Sequence, residues 1–253
     1  MTPEQTAAES RSSIQELGGA FAEDPKTLRR ARQLGLTGWA FYVAGRGGVL
    51  GDVDPAIVGA AIGFIDDEAI LDGWASARRV APPPRIARHH REECCRWGRE
   101  RLDLFHGVAK LVDLTERVVA AADAAGLPLF AAWRALPVPD EGAGARAAVL
   151  LHLLREHRAG AYLLAIRAAG LSPLEALLAE PDGEAGAIAF GWQPPYPPPG
   201  LGLRRRIVAE GLTNRITGQA FAALETPERV ELIELLAGAR LTAAAPTGEY
   251  PLV

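Results

Sequence analysis

Apolar residues recur at three- and four-residue steps along most of this chain, a spacing that predicts helices rather than strands. Residues 1–24 are mostly polar and read as a tail followed by a short helix. Helical spacing sets in near Leu28 and runs to Leu36, with Gly35 as a C-cap. Thr37 can cap a helix from Gly38 to about Ala44, which Gly45, Gly47 and Gly48 then break. Asp54-Pro55, an N-cap followed by proline at the first helical position, opens a helix through Ile62. Another spans about Asp66 to Arg79 and stops before Pro82, Pro83 and Pro84.

The longest regular stretch follows. Arg85 to Ala125 contains no proline, and alternating steps of three and four pick out His90, Cys94, Trp97, Arg101, Leu104, Val108, Leu111, Thr115, Val118 and Ala122. This heptad seam predicts one helix over 85–125, on the order of 60 Å long. Such a helix outruns a small domain. It is expected to pack its Leu104, Val108, Leu111, Val118 stripe along another long helix, either the one at 203–224 or its copy in a second subunit. The N-terminal half of the seam carries His90 and Arg101, which an apolar core disfavours.

Gly126-Leu127-Pro128 ends that helix, and the Pro- and Gly-rich stretch 136–144 reads as a linker. Helices are then expected over about Ala145–His157, Ala159–Ala169 and, after a Ser172-Pro173 start, through Ala179. Pro181-Asp182-Gly183 reads as a turn and Pro194 to Pro199 as a stiff connector. Two more helices follow, at about Leu203–Leu224 and Glu228–Ala239.

The two halves echo each other. Gly38-Trp39-Ala40-Phe41-Tyr42-Val43 resembles Gly160-Ala161-Tyr162-Leu163-Leu164-Ala165, and each is followed by a Pro-initiated helix, a Gly-Trp pair (Gly73-Trp74, Gly191-Trp192), a triple proline and a long helix. Tyr42 stands nearly where Tyr162 does in the repeat.

Composition narrows the function classes. A net charge of −4 offers no global attraction to a phosphate backbone. The only cysteines, Cys94 and Cys95, are adjacent, so there is no disulfide framework, which suits a reducing cytoplasm. The N-terminus shows no secretory pattern and no apolar run reaches membrane-spanning length, so a cytoplasmic protein without membrane partners is expected.

Leu154-Arg155-Glu156-His157-Arg158, Ala169 to Ala176, Gly191-Trp192 and Glu210-Gly211-Leu212-Thr213-Asn214-Arg215 resemble the SalK-like family of actinobacterial proteins. That resemblance covers roughly residues 28–240. It implies a helix-turn-helix or winged-helix-like fold distantly similar to MarR regulators, without a generally established function. Two departures matter. Family members often carry His where this chain has Tyr162 and Asp where it has Asn214. The hairpin wing that normally follows the Gly-Trp pair is replaced by the proline-rich connector.

Several polar clusters are candidate sites. On a helix, His89 with Glu93 and His90 with Cys94 are i,i+4 pairs that can offer metal ligands, or equally an exposed charge pair and a packed thiol. No second cluster with ligand spacing is present, so no metal is expected, and no cofactor is indicated. The arginines between Arg78 and Arg101 suit either a phosphate-binding face or a solvated helix with Glu–Arg pairs. The segments that would read bases, 53–62 and 172–180, are acidic or neutral, so specific duplex-DNA recognition is not expected. His157, Tyr162, Glu210, Asn214 and Trp192 are the candidate ligand-binding residues. They are polar or aromatic groups on or beside apolar helices that can converge on a cavity. The bland alternatives are that His157 caps a helix end and that Glu210 pairs with Arg206 or Asn214 along its own helix.

The expected fold is therefore all-α, with two degenerate winged-helix-like repeats and long packing helices. The expected parts are a tail and short helix (1–24), a first repeat (25–135) containing the 85–125 helix, a linker (136–144), a second repeat (145–240) and a tail (241–253). The expected function is small-molecule binding or catalysis in specialised metabolism. A MarR-like regulator and a ligand-free scaffold are the alternatives.

Overall fold

The structure, a computed structural model, describes residues 1–181, 183–198 and 202–245. Asp182 of the expected turn, Pro199 of the connector and residues 246–253 of the expected tail lie outside the described residues. Among those described there are fourteen α-helices and no strand, so the chain is all-α and carries no hairpin wing there.

The N-terminal stretch is not a tail. The Thr2 side chain accepts from the backbone N–H of Gln5 and the Thr2 backbone N–H donates to Gln5 Oε1 in return, a capping box that starts α1 (Pro3–Glu9) with Pro3 at its first turn. α2 (Arg11–Glu23) follows and buries Ile14, Leu17 and Phe21 at its helical spacing. α3 (Pro25–Gln33) starts and ends three residues before the expected Leu28–Leu36, and α4 (Gly38–Gly47) runs on through Gly45 and Gly47, expected to break it, where a Cβ would meet His90 and Val58; α5 (Pro55–Ile62) and α6 (Asp67–Arg78) fall where expected. Asp24, Thr37, Asp54 and Asp66 each accept a backbone N–H of the first turn.

The expected 85–125 helix is two helices, α7 (Pro83–Arg101) and α8 (Val108–Ala121). The chain leaves α7 at Leu102, and the side chain of Asp103 accepts the backbone N–H of Gly144 at 2.6 Å. Asp103 thereby satisfies a donor in the first turn of the next long helix, which outweighs continuing its own. The stripe divides accordingly: Leu111 and Val118 are fully buried, whereas Leu104 is 69% exposed.

α9 (Pro128–Arg134) leads through 135–142 into α10 (Ala143–Ala168), one uninterrupted helix where two were expected. Gly160 does not break it. A Cβ there would stand 2.8 Å from Leu127 Cδ2, so this glycine admits the neighbouring chain at a cost of about 1 kcal/mol in helix propensity. α10 is the axis of the molecule. It packs against α2, α7, α8, α9 and α13, and its residues 144–158 are buried almost throughout. The partner of α7 and α8 is thus chiefly α10, with α13 contacting α8 in a lesser role. At the α7–α10 crossing, Gly98 and Gly144 each face the other's carbonyl oxygen, and neither has room for a side chain.

α11 (Pro173–Leu178), α12 (Gly183–Ala189), α13 (Gly202–Phe221) and α14 (Thr226–Ala244) complete the fold. α14 continues four residues into the stretch expected as tail. The main apolar core runs from α1 and α2 through α4–α10 to α13 and α14, across the 136–144 segment. A smaller core gathers Ala165, Ile166, Leu171, Ala176 and Ala209 with Phe64 and Tyr162 at its edge.

Candidate functional site

A cavity of about 220 Å³ opens where the two cores meet. Its apolar wall comes from Ile62, Phe64 and Ile65 after α5, Ala176 and Leu177 of α11, and Phe190 after α12. Its polar wall comes from Arg11 (α2), Tyr42 and Arg46 (α4), Arg155, Arg158 and Tyr162 (α10), Glu180 (after α11) and Glu210 (α13). A wider cleft of about 720 Å³ adjoins it and shares Gln15, Tyr42, Arg155 and Phe190.

Tyr162 and Glu210 therefore face one cavity. The Tyr162 ring stacks on Phe64, with centroids 5.6 Å apart. Its hydroxyl is buried and makes no hydrogen bond of good geometry among the described residues, with the Arg206 guanidinium its nearest polar neighbour. Burial, with the charges of Glu210 and Glu180, holds this phenol above its ordinary pKa. The carboxylate of Glu210 is held by Arg158 Nη2 at 2.9 Å and Arg11 Nη1 at 2.9 Å. Both partners come from other helices, not from Arg206 or Asn214 along α13. Arg206 instead holds Glu180 through Nε at 2.8 Å.

The other three sequence candidates stand outside the cavity lining. Asn214 Oδ1 accepts from Arg158 Nη1 at 3.0 Å and steadies the guanidinium that holds Glu210. Trp192 Nε1 donates to the Phe64 carbonyl at 2.9 Å, pinning the loop that places Phe64 against Tyr162. His157 lies mid-helix in α10, not at a helix end, with its ring 4.8 Å from that of Phe130. Burial pushes its imidazole down to about 4, so it is neutral at pH 7 and does not serve as a charged cap.

Sequence reasoning missed the Arg46, Glu156 and Arg155 side of the site. Arg46 grips Glu156 with two bonds, Nε to Oε1 at 2.8 Å and Nη2 to Oε2 at 2.9 Å, and Arg155 Nη1 reaches the same Oε1 at 3.1 Å. Glu156 is fully buried. Burial pushes its carboxyl up, but the cations led by Arg46 outweigh it and hold the group down to about 2. Tyr42 Oη accepts from Arg46 Nη1 at 3.4 Å. Burial pushes its phenol up too, and the guanidiniums of Arg46 and Arg155 bring it below its ordinary value. The signals were present: Arg155-Glu156-His157-Arg158 on an otherwise apolar helix, and Arg46 among the glycines of α4. Their pairing across 110 residues was not legible.

The remaining clusters resolve into structure. His89 pairs with Glu92 at 2.8 Å rather than with Glu93, which Arg96 and Thr27 hold. Cys94 is buried, and burial raises its thiol well above its ordinary value. Among the described residues no group of three or more His, Cys, Asp or Glu is placed to hold a metal ion. Of the arginines from Arg78 to Arg101, Arg78 pairs with Asp52, Arg96 with Asp24, Glu93 and Glu100, and Arg99 with Glu141. No helix among the described residues is long and apolar enough to cross a membrane.

The model of a helix-turn-helix family matches residues 7–250, and the chain belongs to that family. No curated protein and no solved structure matches the chain.

Proposed function

We propose that this protein binds a small organic molecule in the cavity between α2, α4, α10, α11 and α13, and that the helix-turn-helix family scaffold serves here as a ligand-binding body. The observation that carries this reading is the pairing of a closed apolar wall with a buried, unpartnered Tyr162 hydroxyl beside paired charges. Buried polar atoms in folded proteins are as a rule hydrogen-bonded, and one left aimed at a cavity suits a ligand. Tyr42 and Tyr162, related in the internal echo of the sequence, line this one cavity, which supports descent of the site from a duplicated element.

Native mass spectrometry of protein purified from its own host tests the reading. The expected result is a retained non-covalent adduct that is lost when Ala159→Phe fills the cavity without touching its charges. An adduct retained by that variant at unchanged melting temperature places the ligand elsewhere and sinks the proposal.

A second reading, a ligand-responsive DNA-binding regulator, is favoured by family membership alone. The exposed surfaces of α5 and α11 offer acidic or neutral rather than basic residues, which counts against it.

A further inference from the structure

The charge balance around the cavity is uneven. Glu156 is shared by Arg46 and Arg155, and side-chain exposures of 7%, 0% and 23% for Arg46, Glu156 and Arg155 leave little room for solvent to screen them. One carboxylate there answers two guanidiniums. On the facing wall Glu180 and Glu210 answer Arg11, Arg158 and Arg206. Five guanidiniums against three carboxylates leave two positive charges around a partly closed, low-dielectric space, in a chain whose net charge is −4.

The guanidiniums differ in how far they are committed. Arg46 spends Nε and Nη2 on Glu156 and Nη1 on Tyr42. Arg158 spends its nitrogens on Glu210, Asn214 and the Ala7 carbonyl. Arg206 is occupied by Glu180 and the Ala179 carbonyl. Arg155 makes one side-chain hydrogen bond among the described residues, Nη1 to Glu156, whose carboxylate Arg46 already grips. Its Nε and Nη2 make no hydrogen bond of good geometry there, the nearest acceptor being the Tyr42 phenol, which Arg155 draws below its ordinary pKa, and the residue lines both the cavity and the adjoining cleft. A guanidinium with donors turned to a cavity beside a phenol is a geometry that takes an oxyanion.

We propose that the cavity takes an anionic ligand, an oxyanion head group on a flat apolar body, with the head on Arg155 and Tyr42 and the body against Phe64, Tyr162, Leu177 and Phe190. This rests on the ligand-binding reading above and names the class of ligand. Of the acidic groups lining the adjoining cleft, Asp24 is held by Arg96 and Glu16 by Arg240, and Glu23 is the one left without an ion-pair partner among the described residues. A carboxylate and a phosphate monoester share the required chemistry. The apolar wall favours an aromatic or alicyclic body over a free inorganic ion.

Three probes of one shape decide it: 2-naphthoate, 2-naphthyl phosphate and the neutral 2-naphthamide, titrated calorimetrically against the full chain. At least one anion is expected to bind about tenfold or more tighter than the amide, and the tighter anion identifies the head group. Arg155→Met is expected to abolish that preference. If Arg155→Met does not fold, Arg155→Gln, which keeps a donor toward Glu156, gives the same readout. Equal binding of amide and anions, or a preference that survives loss of Arg155, overturns the anionic assignment and leaves the cavity standing as a neutral-ligand site. Absence of binding by all three probes overturns the assignment as well, and the retained-adduct experiment then decides the cavity reading on its own.

Discussion

Arg46 and Glu156 form a two-bond ion pair between α4 and α10, with Glu156 fully buried and Arg46 nearly so. The pair closes the polar wall of the cavity and ties together halves of the chain that are 110 residues apart. A buried carboxylate is tolerated only with such partners, and removing one strands the other in low dielectric. Glu156→Gln is expected to lower stability by roughly 3–5 kcal/mol, read as a fall in denaturant midpoint at unchanged slope. A variant as stable as the parent would show that solvent reaches the pair.

The same pair sets the acid limit. Its carboxyl is held at about 2 when folded, below its value in the unfolded chain, so the unfolded state binds the proton first. This contribution is complete above about pH 4.3 and is lost as pH falls toward 2. Acid unfolding of the parent should therefore extend below pH 4, and that limb should flatten in Glu156→Gln.

His90 and His152 give a second, milder limb. Burial drives His90 well below its ordinary value and His152 to about 4. Each is neutral when folded and takes up a proton on unfolding below about pH 6.5, so stability should decline from pH 6.5 toward pH 4. His152 alone accounts for roughly 3 kcal/mol over that span. Melting temperatures at pH 7 and pH 5 for the parent and for His152→Gln check this; an equal decline in both would assign the limb to other groups.

Leu111 of α8 is fully buried against the main core. Leu111→Asp places an unpartnered charge there and is expected to cost several kcal/mol, enough to unfold a domain of ordinary stability. Leu104, exposed beyond the end of α7, should accept the same change within about 0.5 kcal/mol. Comparing the two variants by thermal melting separates the observed break at Leu102 from a continuous helix.

Specific duplex-DNA binding is not expected, because the α5 and α11 segments lack base-reading side chains and the net charge of −4 gives no general attraction to a phosphate backbone. A gel-shift selection at physiological salt is the check. Enrichment of one motif at nanomolar affinity would restore the regulator reading.

Local chemistry was the legible part of the sequence. Asp54-Pro55, Thr37 and Ser172-Pro173 announce helix starts because a cap and a fixed φ act within one turn, and the structure places α4, α5 and α11 accordingly. Tyr162 and Glu210 stood out because polar groups on apolar faces need partners, and both do line the cavity. Where the sequence misled, a distant contact had overridden local pattern. The heptad spacing through residue 125 gives no warning that Asp103 leaves the helix to hold the N–H of Gly144. The break expected between His157 and Ala159 does not occur, because Arg158 is held by Glu210 and Asn214 of α13 within a continuous α10. The Arg46–Glu156–Arg155 cluster, which supplies one of the site's two surplus positive charges, exists only once α4 and α10 are brought together. Caps and periodicity act over a few residues and can be read in order along the chain; charge pairing between helices depends on which faces meet, and that is decided by the packing of the whole fold.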